Sequence, residues 1–90
     1  MIAPEIQTDV GTLLDHLADR GYVVIASQCD SQTFGNWFVD LGGPSTFRIL
    51  KDRGQYIVEA DRSSLDPFGL FRAFDDPIEF SKCVLKWTAR

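Results

Sequence analysis

The sequence predicts a single α+β domain over residues 1–90, in which two helices pack on an antiparallel four-stranded sheet. Apolar residues recur at helical spacing near both ends of the chain, and between these segments they alternate with polar residues at strand spacing. Breaks that contain glycine or proline divide the central stretch into short runs, as turns between strands do. We therefore expect the order α-β-β-β-β-α, with the strands forming a meander.

The first helix is predicted over residues 9–20. Thr8 is a favourable N-cap residue, Asp9 suits the positive end of a helix dipole, and Gly21 is a favourable residue for ending a helix. Four apolar residues between them recur at i, i+3, i+4 and i+7, which places them on one face. They are Val10, Leu13, Leu14 and Leu17.

Two strands are predicted next. The first covers Tyr22 to Ala26 and continues toward Cys29, and the second covers residues 36–41. The first is apolar on both faces, which favours a central strand or one covered on two sides. Residues 30–33 are polar and are predicted as the turn between the strands. In the second strand, one face carries Trp37, Val39 and Leu41, and the other carries Asn36, Phe38 and Asp40.

A hairpin is predicted from Phe47–Lys51 and Tyr56–Ala60, and its turn has two interpretations. A three-residue loop, residues 52–54, places Gly54 at the left-handed position of a bulge. A two-residue loop, residues 53–54, instead aligns the apolar residues of both strands on one face and pairs Arg48 with Glu59. The two registers exclude each other unless a second bulge compensates, and turn chemistry favours the three-residue loop.

Residues 61–74 form a connection rich in turn signals and in apolar side chains that need cover, namely Leu65, Phe68, Leu70, Phe71 and Phe74. One interpretation is a connection packed over the edge of the sheet. The other is an aromatic contact surface for another chain.

The last helix has clear start signals. Asp76 is its predicted N-cap, Pro77 occupies the first helical position, and Glu79 completes an arrangement akin to a capping box. Its apolar stripe consists of Phe80, Cys83, Val84 and Trp87.

Charge and composition exclude several classes of partner. The formal net charge of −4 argues against nucleic acid, because phosphate binding requires clustered Lys and Arg. The sequence contains neither a signal-peptide pattern nor an apolar run of about 20 residues, so we expect a cytoplasmic protein without a membrane partner. Cys29 and Cys83 are expected to be reduced, with a single disulfide between them as the alternative.

Residues with catalytic or metal-binding potential are few. His16 is the only histidine, and it lies on the polar side of the first helix. Asp40, Glu59 and Asp61 are able to meet on one sheet face as an acid/base pair. Charged residues at alternate strand positions are, however, common wherever a sheet faces water. We therefore expect no enzymatic activity, no metal and no cofactor.

The central stretch carries a resemblance to known proteins. Its elements are Phe34-Gly35-Asn36, Val39-x-Leu41, Phe47-Arg48-Ile49, residues 51–55 (KDRGQ) and Val58-Glu59. Together, over residues 34–60, they resemble small bacterial proteins, some of which are similar to the immunity proteins that accompany polymorphic toxins. The resemblance implies a small, cytoplasmic, non-catalytic protein that binds a protein partner.

The leading hypothesis is therefore a protein-binding module whose acidic, aromatic-bearing face covers a basic partner. The alternative is an assembly subunit that forms a homodimer through a sheet edge. The candidate partner-binding residues are four acids and two aromatic anchors, namely Asp40, Glu59, Asp61, Asp66, Phe68 and Phe71.

Overall fold

The computed structural model describes residues 2–30 and 35–89, and it has the predicted α+β fold. Helix α1 (Pro4–Asp19) precedes four strands, which are β1 (Val23–Asp30), β2 (Asn36–Gly42), β3 (Phe47–Asp52) and β4 (Gln55–Glu59). The short helix α2 (Arg62–Leu65) and a 3₁₀ turn (Asp66–Phe68) lead to helix α3 (Pro77–Thr88). Residues 31–33 of the predicted turn between β1 and β2 lie outside the described residues.

The four strands form one antiparallel sheet in the order β1-β2-β3-β4, which is the predicted meander. Alternate side chains of β2, β3 and β4 are buried on one side of the sheet, which we call the inner face. They are Trp37, Val39, Leu41, Phe47, Ile49, Tyr56 and Val58.

Both long helices pack on the inner face. The ring centroids of Phe47 and Trp87 are 4.8 Å apart, and those of Tyr56 and Phe80 are 5.7 Å apart, so α3 contacts β3 and β4. Helix α1 contributes five large apolar side chains to the same core, where each buried side chain stabilises the fold by roughly 1.5–3 kcal/mol. These are Ile6, Val10, Leu13, Leu14 and Leu17.

Helix α1 begins five residues earlier than predicted. Pro4 occupies its first turn, and the fully buried Ile6 extends the apolar stripe toward the N-terminus. The backbone of Val10 is non-helical (φ −135°, ψ 17°), so the helix is kinked directly after the predicted start. The signals of Thr8 and Asp9 therefore mark a kink rather than a helix end.

Strand β1 is an edge strand, and the prediction of a central or doubly covered strand is wrong. Val23 is 62% exposed and Ile25 is 60% exposed. Among the described residues β1 pairs with β2 alone, and a β-bulge interrupts this pairing between Val24 and Ala26. The apolar composition of β1 predicts a strand buried on both faces. In a meander, however, the first strand of the chain lies at an edge of the sheet, whatever its composition.

The hairpin between β3 and β4 has the two-residue loop, so the preferred three-residue loop is wrong. Asp52 pairs with Gln55, and Arg48 pairs with Glu59. Arg53 (φ 52°) and Gly54 (φ 82°) are both left-handed, as a type I′ turn requires. Alignment of the buried side chains of the two strands outweighs the strain of a left-handed arginine.

The connection after β4 covers an edge of the sheet, which confirms the first interpretation of residues 61–74. The backbone of Phe74 exchanges two hydrogen bonds with that of Tyr56, at 2.8 and 2.9 Å, along the edge of β4 that faces away from β3. Leu65, Leu70 and Phe74 are buried.

The predicted N-cap of α3 is confirmed, since the side chain of Asp76 accepts a hydrogen bond of 3.0 Å from the Ile78 amide. Glu79, predicted to complete a capping box, instead accepts a hydrogen bond of 3.5 Å from Arg72. Cys29 and Cys83 are half-buried free thiols, in agreement with the reduced state. None of the helices in the described ranges has the length and hydrophobicity needed to cross a membrane.

Candidate functional site

The side of the sheet opposite the helices is the candidate site, and we call it the outer face. Its central residues alternate with the buried ones, and they are half-buried or exposed. They are Phe38, Asp40, Arg48, Leu50, Ile57 and Glu59. Apolar and charged side chains are thus mixed on a surface presented to solvent.

A row of three charges crosses the outer face. Asp40, Arg48 and Glu59 lie on β2, β3 and β4 and occupy directly opposed positions. The Arg48 guanidinium donates two hydrogen bonds to the Asp40 carboxylate, at 2.6 and 3.1 Å. It also lies 4.1 Å from the centroid of the Phe38 ring. Arg48 is therefore held in place by a bidentate ion pair and by an aromatic ring.

The ion pair changes the titration of both partners. The hydrogen bond from Arg48 lowers the pKa of the Asp40 carboxyl below its ordinary value. The same hydrogen bond raises the pKa of the Arg48 guanidinium, with a smaller contribution from the negative charge of Glu59. Asp40 thus remains ionised and paired with Arg48, whereas the side chain of Glu59 is exposed to solvent.

A shallow hollow of about 310 Å³ lies beside this row. Phe38 and Leu50 contribute apolar surface to it. Its lining includes three carboxylate residues, which are Asp30, Asp52 and Glu59.

The two cations in the lining of the hollow are paired with carboxylates outside it. Arg48 pairs with Asp40, and the Lys51 ammonium lies 2.9 Å from the Asp9 carboxylate. The hollow therefore combines apolar surface with a lining in which acidic residues outnumber basic ones. A basic side chain with an apolar stem is complementary to this arrangement.

Asp9 anchors the sheet from the inner side. Its carboxylate accepts hydrogen bonds from Trp37 Nε1 at 3.1 Å and from Lys51 Nζ at 2.9 Å. The hydrogen bond with Asp9 raises the pKa of Lys51. The Lys51 ammonium also lies 5.5 Å from the centroid of the Tyr56 ring, and burial raises the pKa of the Tyr56 hydroxyl. A raised lysine pKa disfavours a nucleophilic role, and the network instead fixes α1 against β2 and β3.

The structure places two of the six predicted partner-binding residues together. Asp40 and Glu59 flank Arg48 on the outer face. Asp61 lies apart at the N-terminus of α2, where its carboxylate accepts a hydrogen bond from the Ser63 hydroxyl. The three acids considered as an acid/base group thus do not meet at one point.

The other three predicted residues lie on the connection beside β4. Phe68 is 38% exposed and Phe71 is 54% exposed, although the neighbouring apolar side chains of the connection are buried. Arg62 contacts two residues of this segment. Its guanidinium lies 5.7 Å from the centroid of the Phe71 ring and 3.6 Å from the Asp66 carboxylate. Both aromatic residues are therefore accessible to a partner.

Sequence reasoning missed the hollow and the role of Arg48. The two-residue interpretation of the hairpin already paired Arg48 with Glu59, and the alternation in β2 placed Phe38 beside Asp40. The preference for the wrong register concealed their common face. Asp9 was assigned to the end of a helix, and only the fold reveals its bonds to Trp37 and Lys51.

Within the described ranges, no group of three or more His, Cys, Asp or Glu side chains is arranged to hold a metal ion. His16 is exposed on α1. The Cys29 thiol donates a hydrogen bond of 3.2 Å to Glu5, and this bond raises the pKa of the thiol. A raised pKa makes Cys29 a weaker nucleophile.

The chain was compared with protein-family models, with curated proteins and with solved structures, and none of the three comparisons gave a match.

Proposed function

We propose that this chain is a non-enzymatic, cytoplasmic protein-binding module of the immunity type, which covers and neutralises a basic protein partner. The observation that carries the proposal is the hollow on the outer face. Its apolar surface and the excess of acidic residues in its lining are complementary to a lysine or arginine side chain of another protein.

The build of the outer face supports a docking role. The ion pair and the Phe38 ring hold Arg48 in one position before any partner arrives. A surface that is already ordered loses little side-chain entropy on binding. The row of charges also defines an orientation, because Glu59 attracts a cation whereas Arg48 repels one.

The exposed aromatic residues supply a second contact region. Glu59 ends β4, and the connection that carries Phe68 and Phe71 follows it along the chain. Aromatic side chains that become buried at an interface commonly contribute more than their neighbours to the binding energy. We assign these two residues as the anchors of this second contact region.

The anchors are tested by affinity capture from the organism that encodes the chain. The wild-type chain is used as bait beside a Phe68→Ala/Phe71→Ala variant and an Ile78→Ala control. Ile78 is 66% exposed at the start of α3, so its truncation controls for the loss of an exposed apolar side chain outside the connection. The captured protein is then purified, and its affinity for each variant is measured.

We expect the double variant to weaken binding by 100-fold or more, since hot-spot truncations cost roughly 2 kcal/mol or more each. We expect the Ile78→Ala control to bind like the wild type. Equal binding by all three proteins, with unchanged circular dichroism, would remove Phe68 and Phe71 from the docking surface.

A further inference from the structure

The two edges of the sheet differ in how they are covered. The β4 edge is occupied at Tyr56 by the backbone of Phe74. In the part of the chain that the structure describes, β1 pairs with β2 alone along its whole length, Val23–Asp30. The free edge of β1 is therefore a template for the addition of another strand.

The exposed side chains of β1 are apolar where it begins. Val23, Val24 and Ile25 are 62%, 37% and 60% exposed. Val23 pairs with Gly42, and Ile25 lies over the same glycine, since a Cβ at Gly42 would be 3.5 Å from Ile25 Cγ2. Val23 and Ile25 therefore lie side by side over Gly42 on the outer face.

Apart from the bulge between Val24 and Ala26, the edge lacks the devices that usually prevent strands from pairing. Residues 23–29 contain no charged residue and no proline, which are the common protective residues of edge strands. The acids lie at the opposite end of the strand, at Asp30 and at Glu5 beside Cys29.

We propose that β1 pairs antiparallel with β1 of a second copy of this chain, about a two-fold axis close to Ile25. In this register Ile25 faces Ile25 of the second copy, Val24 faces Ala26 and Val23 faces Ser27, so no charged residue lies opposite these positions. The two Asp30 residues are ten positions apart along the strand direction, or about 33 Å at 3.3 Å per residue. This distance exceeds the screening length of about 8 Å at physiological salt.

The distribution of charge is what selects a second copy and this register. A two-fold axis near Cys29 would instead bring the acidic ends of both strands, with Glu5, close to one another. The strand is apolar where it begins and acidic where it ends. Two copies of it therefore pair without like charges close together only when the two-fold axis lies in the apolar part. The two sheets then form one sheet of eight strands.

This interface goes beyond the proposed function and uses the hydrogen-bonding edge of β1, whereas the hollow lies on the outer face and shares only the end of β1, at Gln28 and Asp30. The two-fold axis of an antiparallel strand pair is perpendicular to the sheet, so both outer faces lie on one side of the dimer and both helical layers on the other. The row formed by Asp40, Arg48 and Glu59 lies on β2–β4, and it stays accessible in each copy.

The proposal is tested by analytical ultracentrifugation of the full chain up to millimolar concentration. We expect the wild type to dimerise and to dimerise more tightly as salt increases, because each copy carries a net charge of −4. We expect Ile25→Lys to weaken the dimer on the order of 100-fold, through lost apolar burial and opposed like charges. The matched control is Ile78→Lys at a site that is 66% exposed, and we expect it to leave the dimer unchanged.

A cross-linking experiment tests the register. In a background with Cys29→Ser and Cys83→Ser, we expect Ile25→Cys to form a disulfide between copies, because directly opposed Cα atoms of antiparallel strands lie about 4.5–5.5 Å apart, which a disulfide spans. We expect Gln28→Cys to remain unlinked.

The proposal is overturned by a wild type that is monomeric at every concentration, by a dimer that survives Ile25→Lys, or by cross-linking at position 28 in place of 25. Loss of partner binding in an outer-face variant that still dimerises would contradict only the proposed function.

Discussion

At the scale of single residues, the turn between β3 and β4 shows how packing overrides local preference. Turn chemistry favoured a loop of three residues with Gly54 as a bulge, whereas the alignment of apolar residues favoured a loop of two. The structure has the shorter loop, and it therefore requires left-handed backbone at both Arg53 and Gly54. The register is decided by burial of the inner-face residues, which local turn statistics do not include.

The left-handed turn predicts opposite effects for two substitutions. Gly54→Ala adds a Cβ that meets nothing within 4 Å, so its cost is backbone strain alone, about 1–2 kcal/mol of unfolding free energy. Arg53→Asn is expected to stabilise the chain by about 0.5 kcal/mol, since asparagine adopts this conformation more readily. Urea unfolding followed by tryptophan fluorescence measures both. A neutral Gly54→Ala variant would contradict a left-handed Gly54, and an Arg53→Asn variant that is not stabilised would contradict the two-residue turn.

The ion pair between Lys51 and Asp9 predicts a loss of stability at alkaline pH. The pKa of Lys51 is raised above 10.5, so the folded chain keeps this proton to higher pH than the unfolded chain does. The stabilisation is complete below pH 10.5 and decreases as pH rises through the folded pKa. We expect Lys51→Met to cost about 1 kcal/mol at neutral pH.

The difference in unfolding free energy between wild type and Lys51→Met should then shrink above pH 10.5. Urea titrations at a series of pH values measure this difference. A difference that stays constant or grows across that range would show that the ion pair does not stabilise the fold.

At the scale of elements, the sequence predicts what can be inferred from periodicity and end signals. The order of the elements, the buried face of β2 and the cap of α3 follow directly from these patterns. The start of α1 and the position of β1 do not. Thr8 resembles an N-cap, yet Ile6 is buried against the core and extends the helix through a kink at Val10. The role of β1 depends on which elements lie beside it, and composition does not contain that information.

The cap of α3 is expected to contribute measurably to stability. Asp76→Ala removes the acceptor for the Ile78 amide, and we expect a loss of about 1 kcal/mol of unfolding free energy. Asp75→Ala is the control, because this exposed neighbour bonds Gln55 and does not cap the helix. Thermal unfolding compares the two variants, and equal losses would argue against a specific capping role for Asp76.

At the scale of the whole molecule, helices cover one side of the sheet, and the other side presents the hollow of the candidate site. The sequence predicted Asp40 and Glu59 as parts of a binding surface but not their arrangement about Arg48, because that arrangement depends on the pairing of three strands. The net charge of −4 gives the two proposed interfaces opposite responses to salt. Salt is expected to weaken binding of a basic partner and to strengthen pairing of two acidic copies.

The central claim, that the outer face binds a basic partner, is tested most directly by the affinity of the captured partner for Glu59→Lys and Asp15→Lys. Both substitutions change the net charge equally, but Glu59 lies on the outer face and Asp15 is exposed on α1 across the sheet. We predict that Glu59→Lys weakens binding by at least about tenfold and that Asp15→Lys changes it by less than about twofold. Equal effects of the two substitutions would contradict the claim.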